Sequence, residues 1–513
     1  MSASFQLLDE PWIPVETHTG PREVGLLELF AQAEQFKRIA YFSPVVTVSL
    51  YRLLFAIYHR AVPIISPSHW GEVWDEGGHF EQVSAYLERW RSRFDLFDEH
   101  APFWQVPDMT EKHGSMSWAK LAVERNDNNN AVLFDHSLAS EPGEVTAAAI
   151  ARLLVATQMI SVGAGRSATG YNVHSLIANT LVIIPEGNNL AETIIANAQL
   201  TSGENDLPIW EQPVPSVAEI IDLNKEKYFR PVTGIAERLT WLTRAIKLRV
   251  NPDLRTVSHI HFGVGIKPEL ADDNRDPWVG YRVAKDGTWV PQRLRPERAI
   301  WRDLHALVVH SEQDEYFAAT VMHGLRTLAA EAEERDTPKA WTVLVGGQSA
   351  DKAKIEGWAQ ERWQIPNRVL RSAQLTRAPR TAMLEAEEIR RQLFGIAFRL
   401  IGDSVAPERK METGEQRKLA EALPIHATFW ASLEPHYGVF LDELGADVPD
   451  VDLLALNHWR EHLIAAVRAA RTVTHQALGR SAREIRAWAR AEPHFYRIER
   501  KIRKQMEGEV EDE

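Results

Sequence analysis

The sequence predicts an α+β fold with three parts: a large mixed N-terminal domain over residues 1–375, an antiparallel four-helix bundle over 376–507, and a disordered acidic tail over 508–513. Three observations carry this. Strand and helix signals mix through the first two thirds without the regular βαβ repetition of a doubly wound sheet. From about Thr376 that texture gives way to long helical periodicity. The breaks between those helical stretches are short, as antiparallel neighbours require.

Taken in order, Val45 to Ile57 is apolar with Arg52 in its middle and too short to cross a bilayer, so it reads as a core helix. The polar stretch from about Pro107 to Glu144 contains Asn126-Asp-Asn-Asn-Asn130 and reads as a loop. Thr146 to Ile160 is helical, with Ile150, Leu153, Leu154 and Thr157 on one face. Thr180 to Ile184 reads as a buried strand stopped by Pro185-Glu-Gly187, and Ser258 to Val264 alternates like a half-buried strand. Tyr281 to Val290 reads as a hairpin turning at Asp286-Gly287. Trp341 to Val345 is a strand, after which Gly346-Gly347 and polar residues read as a hairpin turn.

The C-terminal helices are expected at 378–402, 412–444, 449–478 and 480–507, separated by Gly402-Asp403, by Gly445 to Pro449, and by Gly479. The third has the clearest seam, with Trp459, Leu463, Val467, Ala470 and Val473 spaced by three and four.

Composition narrows the function classes. The 44% apolar fraction and 17 tryptophans describe a packed globular chain. With no cysteine, disulfides, thiolate–zinc sites and thiol catalysis are excluded. The N-terminus carries no basic-then-apolar signal, so a soluble, cytoplasmic protein with no membrane partner is expected. A net charge of −13 argues against generic DNA coating and makes any nucleic-acid contact a local one. A metal nuclease needs clustered ligands, and the pairs His259/His261 and His305/His310 have no accompanying carboxylate pattern. Neither Walker A, HExxH nor GxSxG occurs, so no enzyme and no cofactor is expected. A cryptic metal-dependent nuclease and an assembly scaffold without DNA contact are the alternatives.

The stretch Ile160-Ser-Val-Gly-Ala-Gly-Arg-Ser-Ala-Thr-Gly170 holds three glycines. A dinucleotide fingerprint runs strand, glycine turn, helix, so that the helix N-terminus meets the phosphate. Here the glycines follow a helix, where they serve to end it. One reading is a helix stop and surface loop. The other is a loop without bulky side chains whose backbone enters a groove about as narrow as the DNA minor groove, roughly 6 Å wide.

The chain runs through Phe5-Gln-Leu-Leu-Asp-Glu-Pro-Trp-Ile-Pro-Val15, Ala101-Pro-Phe-Trp-Gln105, the glycine loop, Val345-Gly-Gly-Gln-Ser-Ala-Asp-Lys-Ala353 and His494-Phe-Tyr-Arg497. In that ordered set it resembles the CasA family, the large subunit of the type I-E CRISPR Cascade complex. The resemblance implies a large N-terminal domain followed by a four-helix bundle. It implies a non-catalytic subunit that checks the PAM, a short motif in double-stranded target DNA, while guide-RNA pairing reads the target. It also implies recruitment of a separate helicase–nuclease.

The resemblance puts the PAM loop on Gly163, Ala164, Gly165 and Arg166. The family loop is richer in glycine, but arginine suits a narrow minor groove. The wedge that splits the first target base pair falls on Asp351, Lys352 and Ala353; either Lys352 replaces the usual glutamine or Gln348 serves. A groove-entering lysine falls on Lys267, with His261 the better positional match. Segment 107–144 corresponds to a loop that meets the guide RNA's 5′ handle and other Cascade subunits, with Phe134 as its stacking candidate or, equally, its buried anchor. The end of the bundle is basic, and its Arg483, Arg486, Arg497, Arg500 and Lys501 are candidates for tracking displaced single-stranded DNA or docking on the complex.

Overall fold

The computed structural model describes residues 3–122, 143–163, 165–171, 173–225, 229–251, 255–270, 274–308, 316–330, 338–351, 354–405 and 411–507. The acidic tail expected at 508–513 lies outside the described residues. The chain divides into two compact units. One comprises Met1–Ile300 and Ala306–Arg362; the other comprises Trp301–His305 and Trp363–Glu513.

The first unit is mixed α and β. Its central helix, α1 (Pro44–Ala61), starts at Ser43, whose hydroxyl accepts from the Val46 amide, with Pro44 at the first helical position. Every residue from Pro44 to His59 is buried, so this helix lies inside the unit rather than on its surface. The charge in its middle is matched: Arg52 makes a two-pronged pair with Asp276, at 3.1 and 2.7 Å.

Helix α2 (Ala147–Met159) begins where the sequence places it, capped by the Thr146 hydroxyl. The predicted face is buried, and so are most residues around the helix. Two short strands follow, β1 (Arg166–Ser167) and β2 (Gly170–Tyr171), paired antiparallel.

Strand β3 (Leu181–Glu186) corrects one expectation, because it continues through Pro185, which stands opposite Val343. Proline donates no hydrogen bond, and β3 ends the three-stranded sheet, where a missing donor is tolerated. Strands β4 (Arg244–Asn251) and β5 (Thr256–Val264) form an antiparallel pair with Lys247 opposite His261. The alternation expected for β5 fails, because Ile260 to Val264 are all buried. Part of the polar stretch read as a loop is ordered against the same strand, with Ser115–Ser117 pairing antiparallel to His259–His261. The hairpin of β6 (Tyr281–Val283) and β7 (Trp289–Pro291) turns as predicted. Asp286 Oδ1 accepts from the Thr288 amide at 3.1 Å, and Gly287 has a φ of +83°.

The largest correction concerns Gly346-Gly347. They lie inside a long strand, β8 (Ala340–Asp351), which sits between β3 and β9 (Lys354–Pro366). A Cβ at Gly347 would lie 2.2 Å from the Thr180 carbonyl oxygen. This glycine therefore permits close approach of a neighbouring backbone, a role that looks like a turn in sequence.

The second unit is helical: α3 (Arg377–Ser404), α4 (Thr413–Ala422), α5 (Ile425–Leu444), α6 (Val451–Ala477) and α7 (Ala482–Met506). The helix expected at 412–444 is two helices, broken at Leu423-Pro424. Proline lacks the amide that would continue α4 and crowds the preceding turn. On α6, Trp459, Leu463, Val467 and Ala470 are buried as predicted, but Thr474 takes the next core position and Val473 is only half-buried. Helix α7 opens with a capping box, the Glu484 amide donating to Ser481 Oγ and the Ser481 amide to Glu484 Oε2. Among the described residues, no helix is long and apolar enough to cross a membrane.

Candidate nucleic-acid interface

The glycine loop leaves α2 at Ile160 and is stitched to its own return limb in successive rungs. The Ser161 amide donates to Ser175 Oγ at 2.8 Å, and the Ser175 amide returns to the Ser161 carbonyl at 2.9 Å. The Gly163 amide donates to His174 Nδ1 at 3.0 Å. Between these rungs sits the Arg244 guanidinium, which donates to the Val162 carbonyl on one limb and, at 2.8 Å, to the Val173 carbonyl on the other.

The far end of the loop is fixed by the β1–β2 hairpin. Ser167 Oγ accepts from the Val264 amide at 3.0 Å, and Thr169 Oγ1 donates to the Val264 carbonyl at 2.8 Å. Asn224 Nδ2 then bridges the carbonyls of Thr169 and Gly265, at 2.8 and 3.0 Å. Between these two anchorages runs the segment from Gly163 to Arg166. Gly165 has a φ of +70°, and among the described residues, chain neighbours aside, nothing lies within 4 Å of where its Cβ would be. Arg166 is exposed and stands opposite Tyr171, itself 62% exposed. Ala164 lies outside the described residues.

Asn224 links the loop to the end of β5 at Gly265, two residues before Lys267. The Lys267 ammonium is 5.7 Å from the centroid of Phe229, a half-exposed ring. His261 sits deeper in β5, buried between Lys247 and Ser115 on the flanking strands, and burial first of all lowers its pKa.

The same return limb leads to the β8–β9 hairpin. Asn179 Nδ2 donates to the Ala350 carbonyl at 3.2 Å, one residue before Asp351, where β8 ends. Asp351 is exposed; Lys352 and Ala353 lie outside the described residues, as does Phe134. Gln348 is fully buried within β8, its Nε2 donating to the Ala178 carbonyl at 3.1 Å.

In the helical unit, α3 and α7 enclose a groove of about 870 Å³. Arg391 and Arg399 line it from α3, and Arg497, Arg500, Lys501 and Lys504 line it from α7, with Glu388 the acid among its lining residues. Arg391 pairs with Glu388 at 2.6 Å, so part of that one negative charge is already used. Arg483 and Arg486 do not line the groove. The sequence pointed to α7 but missed the α3 side, because a groove between helices a hundred residues apart leaves no local pattern.

Residues 6–470 match the family model for CRISPR-associated protein Cse1. The chain belongs to the Cse1 family. It is 32% identical over 504 residues to the CRISPR-associated protein CasA/Cse1 of Thermus thermophilus, covering 96% of this chain and 97% of that one. The crystal structure of Thermus thermophilus CasA superposes with a TM-score of 0.85 at 30% identity, covering 97% of this chain and 99% of that one. Two more distant structures share the Cse1 fold. Thermobifida fusca Cse1 has a TM-score of 0.78 at 24% identity and 99% coverage of both chains. A chain of a structure described as a CRISPR RNA-guided surveillance complex has a TM-score of 0.77 at 22% identity, covering 96% of this chain and 100% of that one.

Four residues of the site were missed by sequence reasoning: His174, Asn224, Arg244 and Tyr171. Only Tyr171 was legible in principle, as an aromatic residue closing a short polar turn after the glycines.

Proposed function

We propose that this chain is the large, non-catalytic subunit of an RNA-guided DNA surveillance complex in CRISPR antiviral defence, and that it reads the PAM of double-stranded target DNA. The observation that carries the reading is the Gly163–Arg166 segment: held at both ends, with space beside Gly165 that none of the described residues fills. Backbone presented this way fits a minor groove about 6 Å wide, where the amino group of G·C pairs is the main readable feature. Arg166 supplies the positive charge a narrow groove attracts, and Lys267 adds a second cation just beyond the strand end that Asn224 ties to the loop. The buried setting of His261 favours Lys267 for this role.

The end of the β8–β9 hairpin, tied to the same limb through Asn179, is the element we assign to opening the first target base pair. The burial of Gln348 favours Lys352 as the wedge. Segment 107–144, with Phe134, is assigned to the guide RNA's 5′ handle and other Cascade subunits, and the α3–α7 groove to displaced single-stranded DNA. The subunit then recruits a separate helicase–nuclease. Family membership and the fold shared with the surveillance-complex chain support this placement.

The test is a gel shift of target duplexes with and without the PAM, using the complex assembled with and without this subunit. PAM-dependent binding that requires the subunit is expected. PAM-independent binding would instead indicate a scaffold, and metal-dependent cleavage by the isolated, repurified chain would indicate a nuclease.

A second experiment addresses the wedge. Lys352→Ala is expected to weaken binding to a closed duplex more than to one with a bubble beside the PAM, because unstacking a base step costs a few kcal/mol. The charge component should shrink with salt, while the bubble rescue persists. A rescue seen with Gln348→Ala, and none with Lys352→Ala, would move the wedge to Gln348.

A further inference from the structure

We infer that Arg244 and His174 form a clamp, acting as positioning residues that set how the Gly163–Arg166 backbone is presented to the duplex. The inference rests on the glycine loop being the PAM reader. Arg244 opens β4, some eighty residues from the loop in sequence, and its side chain is 1% exposed. A buried guanidinium is costly unless it is paired with an acid or fully hydrogen-bonded. Among the described residues no carboxylate pairs with it. Its acceptors are the carbonyls of Val162, Val173 and its neighbour Thr243. Burial pushes its pKa down to about 10, which leaves it charged at neutral pH.

Two of those three carbonyls belong to opposite limbs of the loop. The planar, forked guanidinium spans both at once, a geometry that a lysine ammonium does not reproduce. The strand itself is locked beside α2, since Gln158 accepts from the Arg244 amide and donates to its carbonyl, both at 2.9 Å. The clamp thus transmits the position of a rigid strand and helix to the base of the loop.

His174 completes it at the first glycine. Its Nδ1 accepts from the Gly163 amide at 3.0 Å, so that nitrogen carries no proton in this arrangement. A protonated imidazole has only donors to offer and cannot hold the Gly163 amide. Among the described residues, the charged group that acts on the ring is Arg244, on β4. Partial burial, and then the Arg244 charge, keep the His174 pKa below its usual value, which keeps the acceptor available at neutral pH.

The experiment uses the assembled complex and compares PAM-containing with PAM-free duplexes at pH 7.5 and 5.5. His174→Phe, which has no acceptor, should lose about tenfold in PAM discrimination at both pH values, the order of one hydrogen bond. Wild type should keep its discrimination at pH 7.5 and lose a smaller part of it at pH 5.5, because a lowered His174 pKa leaves the ring only partly protonated there. His174→Asn restores an acceptor and should hold its discrimination at both. Arg244→Lys should resemble His174→Phe; because Arg244 is buried and its variant can misfold, the two histidine variants decide.

A second readout needs no DNA: amide hydrogen exchange over residues 160–175 of the chain, expected to be faster in His174→Phe and unchanged in His174→Asn. Equal discrimination and equal exchange in wild type and His174→Phe would overturn the clamp. If Gly165→Leu also binds PAM duplex like wild type, the PAM reading fails separately, while the exchange result still reports on the clamp.

Discussion

Gly165→Leu is expected to reduce PAM-dependent binding on the order of 100-fold, about 3 kcal/mol, while leaving the chain folded. Two effects act together. The φ of +70° at Gly165 lies in the left-handed region, where a side chain costs roughly 1–2 kcal/mol. The leucine then occupies the open face beside Gly165 that the duplex would otherwise approach. Among the described residues, chain neighbours aside, no atom lies within 4 Å of the Cβ position, so the substitution adds no steric clash beyond the backbone strain; melting should fall by no more than that strain, and the larger loss should appear in DNA binding. Gly165→Asn separates the two effects, since asparagine tolerates left-handed backbone but still adds bulk. The defect should be the same on closed duplex and on a target opened beside the PAM, because bulk in the groove is independent of strand opening. Unchanged PAM-dependent binding by Gly165→Leu would remove the glycine loop from the reading mechanism.

Trp301→Ala is expected to destabilise the helical unit by about 3–5 kcal/mol, the usual cost of truncating a buried tryptophan. Segment Trp301–His305 belongs to this unit although the rest of the unit begins at Trp363. The Trp301 ring is 1% exposed and lies 5.7 Å from the Trp430 ring and 5.0 Å from that of Tyr437, both on α5. Next to it, Arg302 stacks 3.7 Å from the centre of Trp430 and pairs with Glu387 on α3 at 2.6 Å. With two units present, one melting temperature is a poor measure, so hydrogen exchange over α5 is the appropriate readout. Faster exchange in residues 425–444, largely restored in Trp301→Phe, is the expected result. Unchanged exchange there would mean that the segment merely rests on the helices.

Prolines show why the helical part was only partly legible. Pro435 and Pro493 lie inside α5 and α7, whereas Pro424 separates two helices. All three look alike as local signals. A helix survives a proline when packing on the rest of its length outweighs the lost hydrogen bond, and the sequence window around the proline does not report that packing. Thr474 replacing Val473 in the core has a similar origin, since a four-residue step after Ala470 keeps the buried stripe on its partner.

The candidate site divides along the same line. Gly163 and Gly165 were legible because a helix with a clear apolar face stops just before them. Gln348 proves to be buried inside β8, because Gly346-Gly347 carries the signature of a turn but continues the strand. The close approach of the Thr180 carbonyl that requires Gly347 is a contact between strands more than 160 residues apart.

By itself, then, the sequence determined the α+β class, the start and end of α2, the long C-terminal helices and the position of the glycine loop. Each of these follows from periodicity, capping and breakers within a turn or two of chain, where the physics is local. Only the tertiary structure decided that Arg244 and His174 hold the two limbs of that loop, that Asn224 joins it to the end of β5, and that α3 supplies half of a basic groove. Those features depend on hydrogen-bond donors, acceptors and charges that meet only after distant segments have packed. A buried guanidinium is stable at Arg244 because the fold brings three carbonyls to it, and nothing in the residues beside it announces them.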